Sequence, residues 1–175
     1  MTFTEEIIRL STMPEGQRFD RKSARIRPDS LTRHVIAFAN AAGGRLAIGI
    51  EDDGSVTGFR QENAQRIADL ERIPVAQCEP SPVVTAHTVP CINVRGDRDV
   101  VLVLDVEASA HRVIARRDSG EVYLRESDNS VLLTPDEAHE LEREKGQRKA
   151  EEGRGQQRTA KDSKGWQRMA EDGRG

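Results

Sequence analysis

Three carboxylates and one amine are the residues of this chain whose types and spacing best suit chemistry: Glu15, Asp20 and Asp52, with Lys22 beside them. Glu15-Gly16-Gln17-Arg18-Phe19-Asp20-Arg21-Lys22 is an E-x-x-x-x-D-x-K pattern, and its D-x-K half is a spacing that recurs in nucleases. Carboxylate oxygens favour hard cations such as Mg²⁺ or Mn²⁺. A cation held there would polarise a phosphate and acidify a bound water, and Lys22 would stabilise the developing negative charge. Ordinary structure offers a competing reading for each residue. Asp20 and Lys22, two apart on a strand, share a face and can form an ion pair. Asp52 stands in Asp52-Asp53-Gly54, a turn sequence where Asp bonds its own backbone.

The second constellation is basic. Between Gly16 and Leu46 lie Arg18, Arg21, Lys22, Arg25, Arg27, Arg33 and Arg45, seven cations against Asp20 and Asp29, in a chain whose net charge is −3. Because salt screens charges beyond about 10 Å, a local patch of this kind can attract phosphates on an otherwise anionic protein. A solvated arginine-rich surface would have the same composition. Other chemistries lack their residues. His34, His87, His111 and His139 are scattered without zinc spacing, and there is no phosphate-binding G-x-x-x-x-G-K-[ST] loop. His34 reads as a surface or phosphate-facing side chain. Cys78 and Cys91 stand apart without C-x-x-C spacing, which suits reduced thiols.

These residues need elements to position them. Phe3 to Ser11 reads as a short amphipathic helix ended by Pro14, and Arg18 to Ala24 as a strand with Phe19 on one face and Asp20 and Lys22 on the other. Asp29 or Ser30 can cap a helix whose inward face is Leu31, Val35, Phe38 and Ala39. Gly43-Gly44 reverses the chain into the apolar strand Leu46–Ile50. A helix is expected over Gln61 to Ile73, then strands over 83–89, 99–106, 113–116 and 121–125, with Arg95-Gly96-Asp97-Arg98 as a hairpin turn. Thr134-Pro135 starts a last helix through Lys145. This irregular alternation predicts an α+β fold, a mixed sheet with a few helices packed on it.

Three of these segments together resemble the AlbA_2 domain, the nucleic-acid-binding core shared with Schlafen proteins. They are the E-x-x-x-x-D-x-K stretch, then Ala37-Phe38-Ala39-Asn40 with its glycine pair, apolar strand and D-x-G turn, and finally Gly120 to Ser127 with its Y-x-R at Tyr123-Leu124-Arg125. They occur in the family's order, and the resemblance covers residues 3–145. Asp20 stands where the family usually has Glu, and Ala41 where it often has Thr. The resemblance implies a nucleic-acid-binding module, for DNA or RNA, of the kind found in cytoplasmic transcriptional regulators. As an alternative, it implies a ribonuclease that uses Glu15, Asp20 and Asp52 with Mg²⁺ or Mn²⁺. Family members that use ATP carry a following ATPase-like region, and no nucleotide cofactor is expected here.

After Lys145 the composition changes. Gln147–Gly155 recurs almost intact at Gln167–Gly175, with a weaker copy at Gln157–Gly165. So few apolar side chains cannot offset ordering entropy, so residues 146–175 are expected to be a disordered tail behind a domain spanning 1–145. No apolar run is long enough to span a membrane. The expected partner is therefore nucleic acid, with homo-oligomerisation open.

Overall fold

A computed structural model describes residues 2–172, with side chains through Arg154. Four helices are present among the described residues: α1 Phe3–Thr12, α2 Pro28–Asn40, α3 Ile67–Gln77 and α4 Pro135–Asp172. The strands are β1 Phe19–Lys22, β2 Gly44–Ile48, β3 Cys78–Glu79, β4 Val84–Ile92, β5 Arg98–Val106, β6 Ala115–Arg116, β7 Tyr123–Glu126 and β8 Asn129–Leu132. The main sheet has the order β1-β2-β5-β4, while β3–β6 and β7–β8 form separate two-stranded ribbons. β1 and β2 run parallel, joined by α2, and β5 is antiparallel to both of its neighbours. The fold is α+β.

Strand alternation divides the side chains between two layers. Leu46, Ile48, Leu102 and Leu104 face α2 and α3, meeting Leu31, Val35, Phe38, Leu70 and Ile73 in the larger core. Phe19, Ala47, Val101 and Val103 face the other way, against Leu10 of α1 and Val89 of β4. With so few aromatics, both layers are built mostly from aliphatic side chains around Phe38 in one and Phe19 in the other, each large side chain worth about 1.5–3 kcal/mol on full burial.

The turn from α2 into β2 is the tightest point. Gly43 has φ +70°, and a Cβ there would lie 2.6 Å from the Val106 carbonyl oxygen. A Cβ at Gly44 would lie 2.3 Å from the Phe38 ring. Asn40, at the end of α2 and 3% exposed, explains the polar residue in Ala-Phe-Ala-Asn. Its Nδ2 donates to the carbonyls of Ile114 (2.7 Å) and Tyr123 (3.0 Å), and its Oδ1 accepts from Ile114 N (2.8 Å). One side chain thus satisfies three buried backbone groups from the following segments.

Several expectations need correction. Arg27, not Asp29 or Ser30, is the N-cap of α2, because Pro28 occupies the first turn and presets its φ. Asp29 instead bonds Arg116 Nη2 at 2.8 Å. α3 begins at Ile67 rather than Gln61 and carries Pro74 inside it. β8 was not foreseen. Thr134 does cap α4: it accepts from Glu137 N at 3.3 Å, and the Glu137 carboxylate accepts from Thr134 N at 2.7 Å.

The expected boundary at Lys145 falls inside α4, since the Glu, Lys, Arg, Gln and Ala of the repeats are good helix formers. Lys145 is 2% exposed and donates to the Ser109 carbonyl, and His111 Nε2 meets Glu152 at 3.1 Å. The side chains of residues 155–175, including Trp166 and most of the repeats, lie outside the described residues. Ending the chain after Arg154 keeps both contacts and is expected to leave the melting temperature unchanged. Ending it after Lys145 removes Glu152 and is expected to lower it measurably. Differential scanning fluorimetry on the two truncations distinguishes these outcomes.

Candidate functional site

Asp20 and Lys22 leave β1 on the α2 side of the sheet, and the elements packed there supply their partners. Lys22 Nζ lies 2.6 Å from Asp20 Oδ1, and Arg125 Nη1 of β7 lies 3.0 Å from Asp20 Oδ2. His34 Nδ1, from α2, is 3.5 Å from Asp20 Oδ2 and 2.9 Å from Ser130 Oγ of β8. Glu15, in the loop before β1, accepts from Arg21 N at 3.1 Å and stands near the Asp20 carboxylate.

Arg125 holds this group together. Its side chain is fully buried, donates to Gly16 O (3.0 Å from Nη2) as well as to Asp20, and lies over the Phe38 ring at 4.7 Å. The Y-x-R signature is thereby a strut that ties the β7–β8 ribbon to β1 and α2. Bidentate geometry and stacking are what a guanidinium offers and an ammonium does not.

The charges follow from these contacts. Burial pushes the Asp20 carboxyl upward, but the Lys22 bond and charge, with His34 and Glu15, hold it below the usual carboxylate value. Burial raises Glu15, the Arg21 N–H opposes the rise, and the neighbouring Asp20 carboxylate adds to it. Burial also pushes His34 down to about 4; Asp20 opposes this, while Lys22, Arg125 and Arg33 add to it. His34 is therefore neutral near pH 7. Unfolded, the ring takes up its proton near 6.5 and folded only near 4, so acidification through that window loads protons onto the unfolded chain. Stability is expected to be full above that window and to fall within it, by at most about 1.4 kcal/mol per pH unit. Glu15, with its raised value, opposes the trend at the acid end. A His34→Asn variant should flatten the pH dependence of the urea midpoint; an unchanged profile would contradict this.

Ser130, His34 and Asp20 do not form a nucleophilic relay, because both contacts use Nδ1 and none links the other ring nitrogen to the hydroxyl. Nor do the acids suit a divalent cation. Both Asp20 oxygens are engaged by cations, and Asp52 is exposed in the turn after β2. No group of three or more His, Cys, Asp or Glu able to hold a metal is present among the described residues. The expected set of Glu15, Asp20 and Asp52 is thus reduced to its first two members, with Asp52 exposed in the turn. Its neighbour Asp53 makes the turn bond, accepting from Ser55 N at 2.8 Å.

The basic residues divide by strand parity. Arg21 points to the α1 side, is 7% exposed, donates to the Met13 carbonyl and lies 5.5 Å from the Phe19 ring centre. Arg45, beside Phe19 in register, makes a bidentate pair with Asp105 at 2.6 and 3.0 Å. Lys22 is engaged by Asp20. Arg18, Arg25, Arg27 and Arg33 are exposed and have no carboxylate within ion-pair distance among the described residues. Arg25 Nε donates to Glu62 O at 2.9 Å and Arg33 to Ser30 Oγ at 3.0 Å. Three of the four cluster in sequence around the entrance to α2. The seven cations therefore do not share one face.

Ser130 was missed because no motif marked β8, and Arg125 was visible only as part of a signature. The signal for Arg125 was charge balance: a strand-borne Asp with apolar neighbours needs a cation when buried.

A family model described as Schlafen, AlbA_2 matches residues 15–134. None of the curated proteins matches the chain. Among solved structures, the DIP2311 protein from Corynebacterium diphtheriae is 24% identical, with a TM-score of 0.50 over 80% of this chain. The chain spans 27% of the length of that protein, and the likeness shows the fold alone. The N-terminal domain of a RecG-related protein from Nitrosomonas europaea is 20% identical, covering 77% of this chain and 96% of that domain at a TM-score of 0.47. With its signature residues placed as β1, the α2–β2 turn and β7, and the match extending over most of its length, the chain belongs to the Schlafen AlbA_2 family.

Proposed function

We propose that this chain binds nucleic acid through phosphate contacts made by Arg25, Arg27 and Arg33 around the start of α2, with Arg18 and the half-exposed Lys22 at its margin. The observation that carries this reading is the exposure of these arginines without carboxylate partners among the described residues, in a family tied to nucleic acids. Elsewhere Arg45, Arg116 and Arg117 each have a carboxylate partner. Flexible arginines aimed at a backbone position a duplex without reading its bases, so binding has little sequence preference. Regulation of transcription by occupancy of DNA is a role such a module can serve. The β7–β8 ribbon and the Asp20–Arg125 pair act as the rigid support behind this surface.

Fluorescence anisotropy with labelled duplex DNA and duplex RNA, in the presence of a chelator, tests the reading. Saturable, metal-independent binding is expected. No binding to either duplex at low salt would refute it.

A further inference from the structure

The two edges of the main sheet are finished differently. On β1 two of the outward backbone groups are engaged: Phe19 O accepts from Gly16 N at 2.9 Å and from Arg125 Nη2 at 3.4 Å, and Arg21 N donates to Glu15. On β4 the nine residues Val84–Ile92 pair only with β5, and no outward backbone group is hydrogen-bonded among the described residues. The β4 edge also has no Lys, Arg, Asp or Glu, the charged residues that commonly guard an exposed edge, and Pro90 is the one edge-guarding residue along it.

Pro90 fixes which groups point outward. It has no N–H and is tolerated in a strand where that N–H would face away from the ladder. Its partner Val100 agrees, since Val100 N donates to the Asp99 carboxylate at 2.8 Å instead of to β4. By alternation, the N–H and C=O groups of Val84, Ala86, Thr88 and Ile92, and the Pro90 carbonyl, point outward.

We propose that β4 is a self-association edge, at which a second copy of this chain adds antiparallel to β4 about a two-fold axis through Thr88. In this register Thr88 faces its own copy, Ala86 N meets the Pro90 carbonyl, and Val84 pairs with Ile92. Each Pro90 thus falls where only its carbonyl is needed from the ladder and one bond per copy is forgone. No charge opposes a like charge along the strand. The flanks favour the antiparallel sense. The hairpin beyond Ile92 carries exposed Arg95 and Arg98 against one Asp97, and exposed Glu107 lies beside Val83, to whose carbonyl its N–H donates at 2.9 Å. An antiparallel pair brings the basic end of one copy toward the acidic end of the other, whereas a parallel pair brings like ends together. The result is a continuous eight-stranded sheet, twice the four of one copy. This inference is independent of the proposed nucleic-acid contacts.

Light scattering coupled to size exclusion, on the full chain with a reductant present, tests it. A mass twice 19.5 kDa that declines on dilution is expected. Thr88 is exposed, so Thr88→Lys leaves the monomer fold intact but sets two ammonium groups opposite each other on the axis. The dimer dissociation constant should then rise by about tenfold or more, while the melting temperature at low concentration is unchanged. A wild type that stays monomeric at every attainable concentration would overturn the proposal. A dimer whose dissociation constant is the same in folded Thr88→Lys would overturn it equally, by placing the interface elsewhere.

Discussion

Replacing Arg125 by methionine is expected to remove about 3–5 kcal/mol of folding stability, the range for removing one partner from a buried ion pair. Arg125 and Asp20 have side chains exposed by 0% and 1%, so the carboxylate left behind cannot turn to water. Lys22 remains at 2.6 Å and places the loss toward the lower figure. The Gly16 carbonyl loses its Arg125 donor and the Phe19 carbonyl one of its two donors, and Phe38 loses the stacked guanidinium. Equilibrium urea denaturation measures the effect. A second Asp20→Asn change should recover part of the loss, because the uncompensated charge goes with it. A loss below about 1 kcal/mol, as for an exposed pair, would show that this contact does not hold the ribbon to the sheet.

The second large effect concerns the α2 entrance. Arg25→Glu with Arg27→Glu should abolish measurable binding to duplexes while leaving the melting temperature unchanged, because both side chains are exposed and neither is in an ion pair among the described residues. The choice of residues matters. Arg21→Glu would have been an equally natural choice from sequence, yet Arg21 is 7% exposed and donates to a backbone carbonyl at the end of α1. Reversing its charge puts a carboxylate against that carbonyl, so any loss of binding would report loss of fold. Retention of full affinity in the folded Arg25/Arg27 variant would remove these residues from the interface.

The difference between Arg21 and Arg25 also shows what the sequence made legible. Local signals were strong where chemistry forces one answer: the glycine pair before β2, the alternation of Phe19 against Asp20 and Lys22, and the Thr134-Pro135 cap of α4. The irregular alternation of strands and helices carried the α+β architecture. What remained hidden depends on partners distant in sequence. Seven cations within thirty-one residues look like one patch until strand parity sends Arg21 and Arg45 to the opposite face, and Asp105, the partner of Arg45, is 60 positions away. Arg125 lies 105 positions from Asp20, so their pairing is a property of the tertiary fold. Asp52 looked like a third ligand because turn-forming and metal-binding carboxylates have the same sequence. The start of α3 was misplaced because Gln61 to Arg66 has helical composition but is held by tertiary contacts, among them Gln65 N to Ala24 O at 2.8 Å.

The most direct test of the central claim is the salt dependence of binding by the wild-type chain. The logarithm of the association constant for a short DNA duplex, followed against the logarithm of salt concentration, should fall linearly. Each neutralised phosphate contributes about 0.9 to the slope, so the three arginines of the α2 entrance predict a slope near −3, about two units shallower with Arg25→Gln and Arg27→Gln. A slope near zero, or one that the double substitution leaves unchanged, would contradict phosphate recognition at this surface.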